Sequence, residues 1–179
     1  MKGLLIIIVV IVLLAIYFGL IKTSPKPPEF KNINMKITSS AFENNQPIPY
    51  QYTCDGKNIN PPLSFNLVPD KTKSLVLIVD DPDAGLGTWA HWLVWNIDPS
   101  TKEIAENQSP QNAIEGINDF SKKGWGGPCP PQGTHRYQFK LYALDTILNL
   151  NPNSKKLDIE SAMKDHTLDL AILIGLYKR

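Results

Sequence analysis

Arg136-Tyr137-Gln138-Phe139-Lys140-Leu141-Tyr142-Ala143-Leu144 is the stretch that decides the fold. Tyr137, Phe139, Leu141 and Ala143 alternate with Arg136, Gln138, Lys140 and Tyr142. A period of two belongs to a strand with one face on a core and a more polar face opposite. Working outward, Ser74-Leu75-Val76-Leu77-Ile78-Val79 is a continuous apolar run, expected to be a central strand buried on both faces. His91 to Ile97 reads as the next strand, with the aromatic and β-branched content that suits a pleated surface. Ile33 to Thr38 reads as a first strand and Leu168 to Tyr177 as a last one. Residues 42–62 and 100–123 read as irregular and turn-rich. Asp158 to His166 is the one convincing helix, with Asp158 as its N-cap and Ile159, Ala162 and Met163 as its apolar face.

Fifteen prolines and eleven glycines fit this loop-rich architecture better than a helical bundle. The expectation is a mainly antiparallel β-sandwich with few helices. The 179 residues suffice for one ordinary domain, and a net charge of +1 with no basic stripe argues against nucleic acid as a partner.

The N-terminus differs in kind. Leu4 to Ile21 is eighteen uncharged, mostly aliphatic residues between Lys2 and Lys22. As a helix it would span about 27 Å, close to the hydrocarbon thickness of a bilayer. It is long for a signal peptide, and no convincing small-residue cleavage site follows it. Residues 1–22 are therefore expected to be a single-pass membrane anchor, with a cleaved signal peptide as the alternative. The very short N-terminal tail places the domain on the extracytoplasmic side. Residues 23–31 hold three prolines and read as a semi-rigid linker. Residues 32–179 are the domain.

Two segments concentrate the chemistry. Asp80-Asp81-Pro82-Asp83-Ala84 leads to Trp89-Ala90-His91-Trp92, and Gly126-Gly127-Pro128-Cys129-Pro130-Pro131 leads to Gly133-Thr134-His135-Arg136-Tyr137. Each places a histidine at the mouth of an apolar strand after a Pro/Gly-rich turn. Pro82 restricts the backbone of Asp81, and the prolines of the second segment stiffen the other wall. A cis Asp81–Pro82 bond is open to the sequence. A rigid pocket loses little entropy on binding. His91 and His135 read as hydrogen-bond donors to an anion, with a carboxylate nearby favouring their charged form. Asp81 would orient a histidine, and Tyr137 would add a neutral O–H. Phosphate or carboxylate is the fitting guest.

Other chemistries are weaker. Zinc held by His91, His135 and Asp81 lacks a short-spaced ligand pair. A hydrolase using Cys54 or Cys129 lacks a cysteine at a helix N-terminus. The two cysteines read either as one disulfide or as thiols lining the pocket. No cofactor or metal is expected.

At these residues the chain closely resembles the phosphatidylethanolamine-binding protein family, in its prokaryotic Raf-kinase-inhibitor-like branch. The resemblance covers residues 34–179. It rests on Tyr52-Thr53-Cys54-Asp55-Gly56, Pro61-Pro62-Leu63, the run from Ser74 to Ala84, His91-Trp92, the run from Gly126 to Pro131, the run from Gly133 to Tyr137, and Leu141-Tyr142-Ala143-Leu144-Asp145. It implies a Greek-key β-sandwich with an anion pocket built from Asp81, His91, Pro131, His135 and Tyr137. It also implies non-enzymatic binding of phosphate-like anions or phospholipid head groups. Inhibition or regulation of a serine protease or kinase is the first alternative, and a hydrolase using the Asp/His pocket the second. Gly85 stands where the family usually has proline, which loosens one wall. Phe65 stands where the branch often has tryptophan, and an N-terminal anchor is not typical of it.

Overall fold

The computed structural model describes residues 35–85 and 87–179. Among them are strands β1 (Lys36–Thr38), β2 (Gln46–Pro47), β3 (Leu63–Asn66), β4 (Ser74–Asp81), β5 (Trp89–Ile97), β6 (Glu103–Ile104), β7 (Ile114–Glu115), β8 (Thr134–Leu144) and β9 (Thr167–Lys178). One short α-helix, α1 (Lys156–Met163), precedes the last strand. The protein is mainly β, as the alternation in β8 requires.

The larger sheet runs β2-β9-β8-β4-β5-β7 and the smaller β1-β3-β6. Pairing is antiparallel except where β2 meets β9. β4 lies between β8 and β5, and all eight of its residues are buried. This accounts for its unbroken apolar run. Leu75, Leu77 and Val79 join Phe139 and Leu141 of β8 and Ile37, Leu63 and Phe65 of the smaller sheet in one core. Val76 and Ile78, one residue out of phase, pack with Leu93, Trp95 and the helix residues Ile159 and Met163.

Several boundaries differ from the sequence reading. β2, β6 and β7 lie in stretches read as irregular, and β3 in one given no assignment. At two to four residues each they are too short to carry a period. Asp158 is not the cap of α1: it sits inside the first turn, where its carboxylate accepts the Lys155 backbone N–H at 2.8 Å. An acidic residue satisfies the helix start from that position as well.

The anchor expected over residues 1–22 and the linker over 23–31 lie outside the described residues. The expected localisation, a single-pass membrane protein with an extracytoplasmic domain, is corrected here. No helix among the described residues is long and apolar enough to cross a membrane. The eight residues of α1 extend only about 12 Å, against a hydrocarbon core of about 30 Å.

Candidate functional site

The site begins with a break in register. Val79 of β4 faces Trp92 of β5, yet Asp80 faces Ala90, so His91 is an extra residue on β5. Strict alternation would send His91 to the face of Leu93 and Trp95, the face that packs on α1. The bulge re-aims it toward the face of Trp92, where it joins Asp81. Bulges frequently re-aim a side chain in this way.

Asp81 ends β4, and its carboxylate is fully engaged. Oδ1 accepts the Asp83 backbone N–H at 2.8 Å, and Oδ2 meets Nδ1 of His135 at 2.7 Å. No peptide bond among the described residues is cis, so Asp81–Pro82 is trans. Asp83 in turn accepts from the backbone N–H, Nε and Nη2 of Arg136 at 3.0, 2.9 and 2.6 Å. That pair ties the end of β4 to β8. It holds the Asp83 carboxyl down at about 2, chiefly through the Arg136 guanidinium. It also occupies the Arg136 side chain.

The second wall is residues 126–131. The Gly126 N–H donates to the His91 carbonyl at 3.0 Å, and the Gly126 carbonyl accepts from His91 Nδ1 at 2.6 Å. The Gly127 N–H donates to Asn58 Oδ1 at 2.7 Å, and Pro128 O accepts the Cys54 N–H at 3.0 Å. A Cβ at Gly127 would lie 2.6 Å from Tyr52 O, so glycine permits this approach. Cys54 and Cys129 are bonded to each other, with Cα atoms 5.4 Å apart. Of the two readings left open for them, disulfide and free pocket thiols, the bond is the one found. A cysteine nucleophile is therefore ruled out.

These elements enclose a cavity of about 190 Å³. Asp81, His91, Pro131, His135 and Tyr137 all line it, together with Trp89, Phe120 and Cys129. Phe120 falls in a stretch read as polar loop, and no local signal marks it. Asn118 brings it in, with Nδ2 donating to the carbonyls of His91 at 3.2 Å and Gly124 at 3.0 Å. Phe120 then meets the His91 ring edge-on at 5.2 Å, with Tyr137 edge-on at 5.1 Å.

Two electrostatic features stand out. The Tyr137 hydroxyl is fully buried and makes no well-formed hydrogen bond, with the Asp81 carboxylate and the Cys129 backbone beside it. Burial, reinforced by the Asp81 charge, holds its pKa well above the ordinary tyrosine value, so it stays an O–H. His91 departs from the expectation of a charged donor. Burial lowers its pKa below 6.5, against smaller opposing effects from the Gly126 carbonyl and from Asp81. Among the described residues no group of three His, Cys, Asp or Glu is placed to hold a metal.

The family model described as Phosphatidylethanolamine-binding protein matches residues 38–178. The chain belongs to this family. A UPF0098 protein of Methanothermobacter thermautotrophicus is 49% identical over 150 residues, covering 81% of this chain and 99% of its own length. A second UPF0098 protein, from Pyrococcus horikoshii, is 47% identical over 157 residues, covering 83% of this chain and 79% of its own. Among solved structures, a putative phosphatidylethanolamine-binding protein homolog of Chlamydia trachomatis superposes with a TM-score of 0.79 at 41% identity, covering 83% of this chain and 99% of that one. E. coli YbcL, described as a new member of the mammalian family, superposes at 0.77 with 30% identity, covering 81% and 98%. In this phosphatidylethanolamine-binding protein relative, the cavity lies where β4, β5 and β8 converge.

Proposed function

We propose that this domain binds phosphate-like anions or phospholipid head groups at the Asp81/His91/Pro131/His135/Tyr137 cavity, without turning them over. The observation that carries this reading is the Tyr137 hydroxyl. A fully buried donor without a well-formed hydrogen bond gains from a guest that supplies an acceptor. Its surroundings support the reading. Two imidazoles line the same cavity, the wall is stiffened by Pro130 and Pro131, and the disulfide fixes that wall to the chain around Cys54. The family's name points to phospholipids as a ligand class at the level of the family.

The Asp81–His135 contact favours a second reading, because a carboxylate-oriented histidine is the arrangement of a general base. A hydrolase built on it would have to activate water. Apart from Asp81 and the two imidazoles, the residues lining the cavity offer no side-chain nucleophile, since Cys129 is bonded and Tyr137 stays protonated.

The test follows the thermal midpoint of the chain against phosphate and phosphoethanolamine, beside His91→Ala/His135→Ala. A guest at one hundred times its dissociation constant adds about 2.7 kcal/mol of stability. A rise that vanishes in the double variant supports the binding site, and no rise at millimolar guest rejects it. Turnover of 4-nitrophenyl phosphate that is lost in His135→Ala would establish the hydrolase instead.

A further inference from the structure

The wall at residues 126–131 is held in two different ways. Its first half is pinned by backbone groups: the Gly126 N–H donates to His91 O, the Gly127 N–H to Asn58 Oδ1, and the Cys54 N–H to Pro128 O. All of these bonds precede Cys129. Pro130 and Pro131, which line the cavity beyond it, have no backbone N–H to offer. The tie from that half to the chain around Cys54 is the Cys54–Cys129 bond. Neither cysteine is fully buried, and access is what thiol exchange requires.

The two sulfurs sit in unequal fields. Cys54 is followed by Asp55, whose Oδ2 accepts from the Tyr177 hydroxyl at 2.9 Å and whose Oδ1 meets Arg179 Nη2 at 2.7 Å. The other terminal nitrogen of that guanidinium, Nη1, donates to Cys129 Sγ at 3.6 Å. On the cavity side the Cys129 backbone neighbours the Tyr137 hydroxyl, with Asp81 and His135 paired beyond it. Among the described residues, Arg179 is therefore the cation in contact with the disulfide, and the sulfur it touches is that of Cys129. In thiol exchange the sulfur better stabilised as a thiolate departs faster.

We infer that the Cys54–Cys129 bond is a thiol-reducible latch on the cavity wall, opened by a small-molecule thiol that attacks Cys54 while Arg179 receives Cys129 as the departing thiolate. The incoming thiolate forms a mixed disulfide with Cys54 as the Cys54–Cys129 bond breaks, and the electron pair of that bond goes to Cys129. A second thiolate attacks the outer sulfur of the mixed disulfide and releases Cys54. The two reductant molecules are oxidised to one disulfide, and their two protons end on Cys54 and Cys129. Pro130 and Pro131 then lose their tie. The bonds at Gly126, Gly127 and Pro128 remain and keep the two cysteines near enough to reoxidise. The latch acts on the wall itself, so it stands apart from the anion-binding reading and holds whatever the cavity takes.

The experiment treats the folded full chain with glutathione, quenches with iodoacetamide and maps the early products by mass spectrometry. Glutathione should be found on Cys54 and the alkyl group on Cys129. Arg179→Gln should slow reduction about threefold to tenfold, the scale of one contacting charge on a departing thiolate, and spread glutathione over both cysteines. Arg179→Lys, which keeps the charge, should recover most of the rate and the preference for Cys54. A merely structural role for Arg179 would leave the point of attack unchanged. In the reduced protein the backbone order parameters of Gln132 and Gly133 should fall from about 0.85 to below about 0.6, while those of Gly126 and Gly127 stay high. Glutathione chiefly on Cys129, or an unchanged rate in Arg179→Gln, overturns the inference. Reduction that proceeds only as fast as the chain unfolds, or order parameters that do not change, marks the bond as a fixed cross-link and overturns it as well.

Discussion

Asp80 and Asp81 are neighbours in the chain and serve opposite faces of one sheet. Asp80 Oδ2 accepts from Lys140 Nζ at 2.8 Å and Lys156 Nζ at 2.6 Å on the face that carries α1. Asp81 Oδ2 meets His135 at 2.7 Å on the face of the cavity. The period of two in a strand makes the division. One carboxylate braces the helix, and the other organises the pocket.

Asp80→Ala leaves the Lys140 ammonium without its partner and Lys156 with only Glu160 at 3.6 Å, their side chains only 18% and 16% exposed. The expected loss is about 3–5 kcal/mol in urea unfolding. Asp81→Asn should cost less, because its amide oxygen can still accept a hydrogen bond, while changing anion binding. The opposite ranking of stability losses would show that the two carboxylates are not divided in this way.

Tyr137→Phe separates stability from binding. Removing a buried donor that makes no well-formed hydrogen bond relieves part of a penalty of about 1–3 kcal/mol, so the unliganded protein should become more stable or stay unchanged. Phosphate affinity should fall in the same protein. Thermal melts with and without phosphate measure both effects. A destabilised, binding-competent Tyr137→Phe protein would contradict the assignment.

His91 ties stability to pH. Its folded pKa lies below the ordinary 6.5, so above about pH 6.5 the ring is neutral in both folded and unfolded chains and contributes no difference. As pH falls through 6.5 the unfolded chain takes up the proton first, and the native state loses stability. The loss levels off once pH passes the folded pKa. His91→Gln should flatten this part of the profile. Urea unfolding at pH 5.0 and 7.5 in both proteins gives the comparison, and equal slopes would reject it.

The Cys54–Cys129 bond spans 75 positions of sequence. In the chain-entropy view, closing a loop of that size stabilises by roughly 4 kcal/mol. A Cys54→Ala/Cys129→Ala protein should unfold at correspondingly lower denaturant. Because Cys129 lines the cavity, the residual stabilisation by phosphate should shrink as well. An unchanged phosphate response would mean that the backbone bonds at Gly126, Gly127 and Pro128 hold the wall without the disulfide.

Much of the β framework is legible residue by residue. β4, β5, β8 and β9 appear in the sequence within a few residues of their observed ends, because apolar runs and alternation are written locally. The short strands β2, β3, β6 and β7 are not legible. β2 and β7 form on the open edges of the long strands β9 and β5, with Leu93 O continuing the pairing to the Gly116 N–H at 2.9 Å, while β3 and β6 pair within the smaller sheet. For the cavity, the Pro/Gly turns and the histidines after them mark the lining residues, whereas Phe120 arrives through Asn118 contacts that no local pattern records.

The sequence by itself determined the fold class, the family and the set of polar groups at the rim. Periodicity, turn chemistry and residue type suffice for the fold class and the polar groups, and the family follows from the resemblance of the quoted motifs; all are written in runs of neighbouring residues. Only the tertiary structure decided that His91 is the extra residue of a bulge, that Cys54 and Cys129 meet, and that each histidine spends Nδ1 on a partner. Those partners lie 35 and 54 positions away, Gly126 for His91 and Asp81 for His135. Which ring nitrogen is left for a guest depends on packing across three strands, and local sequence carries no record of that.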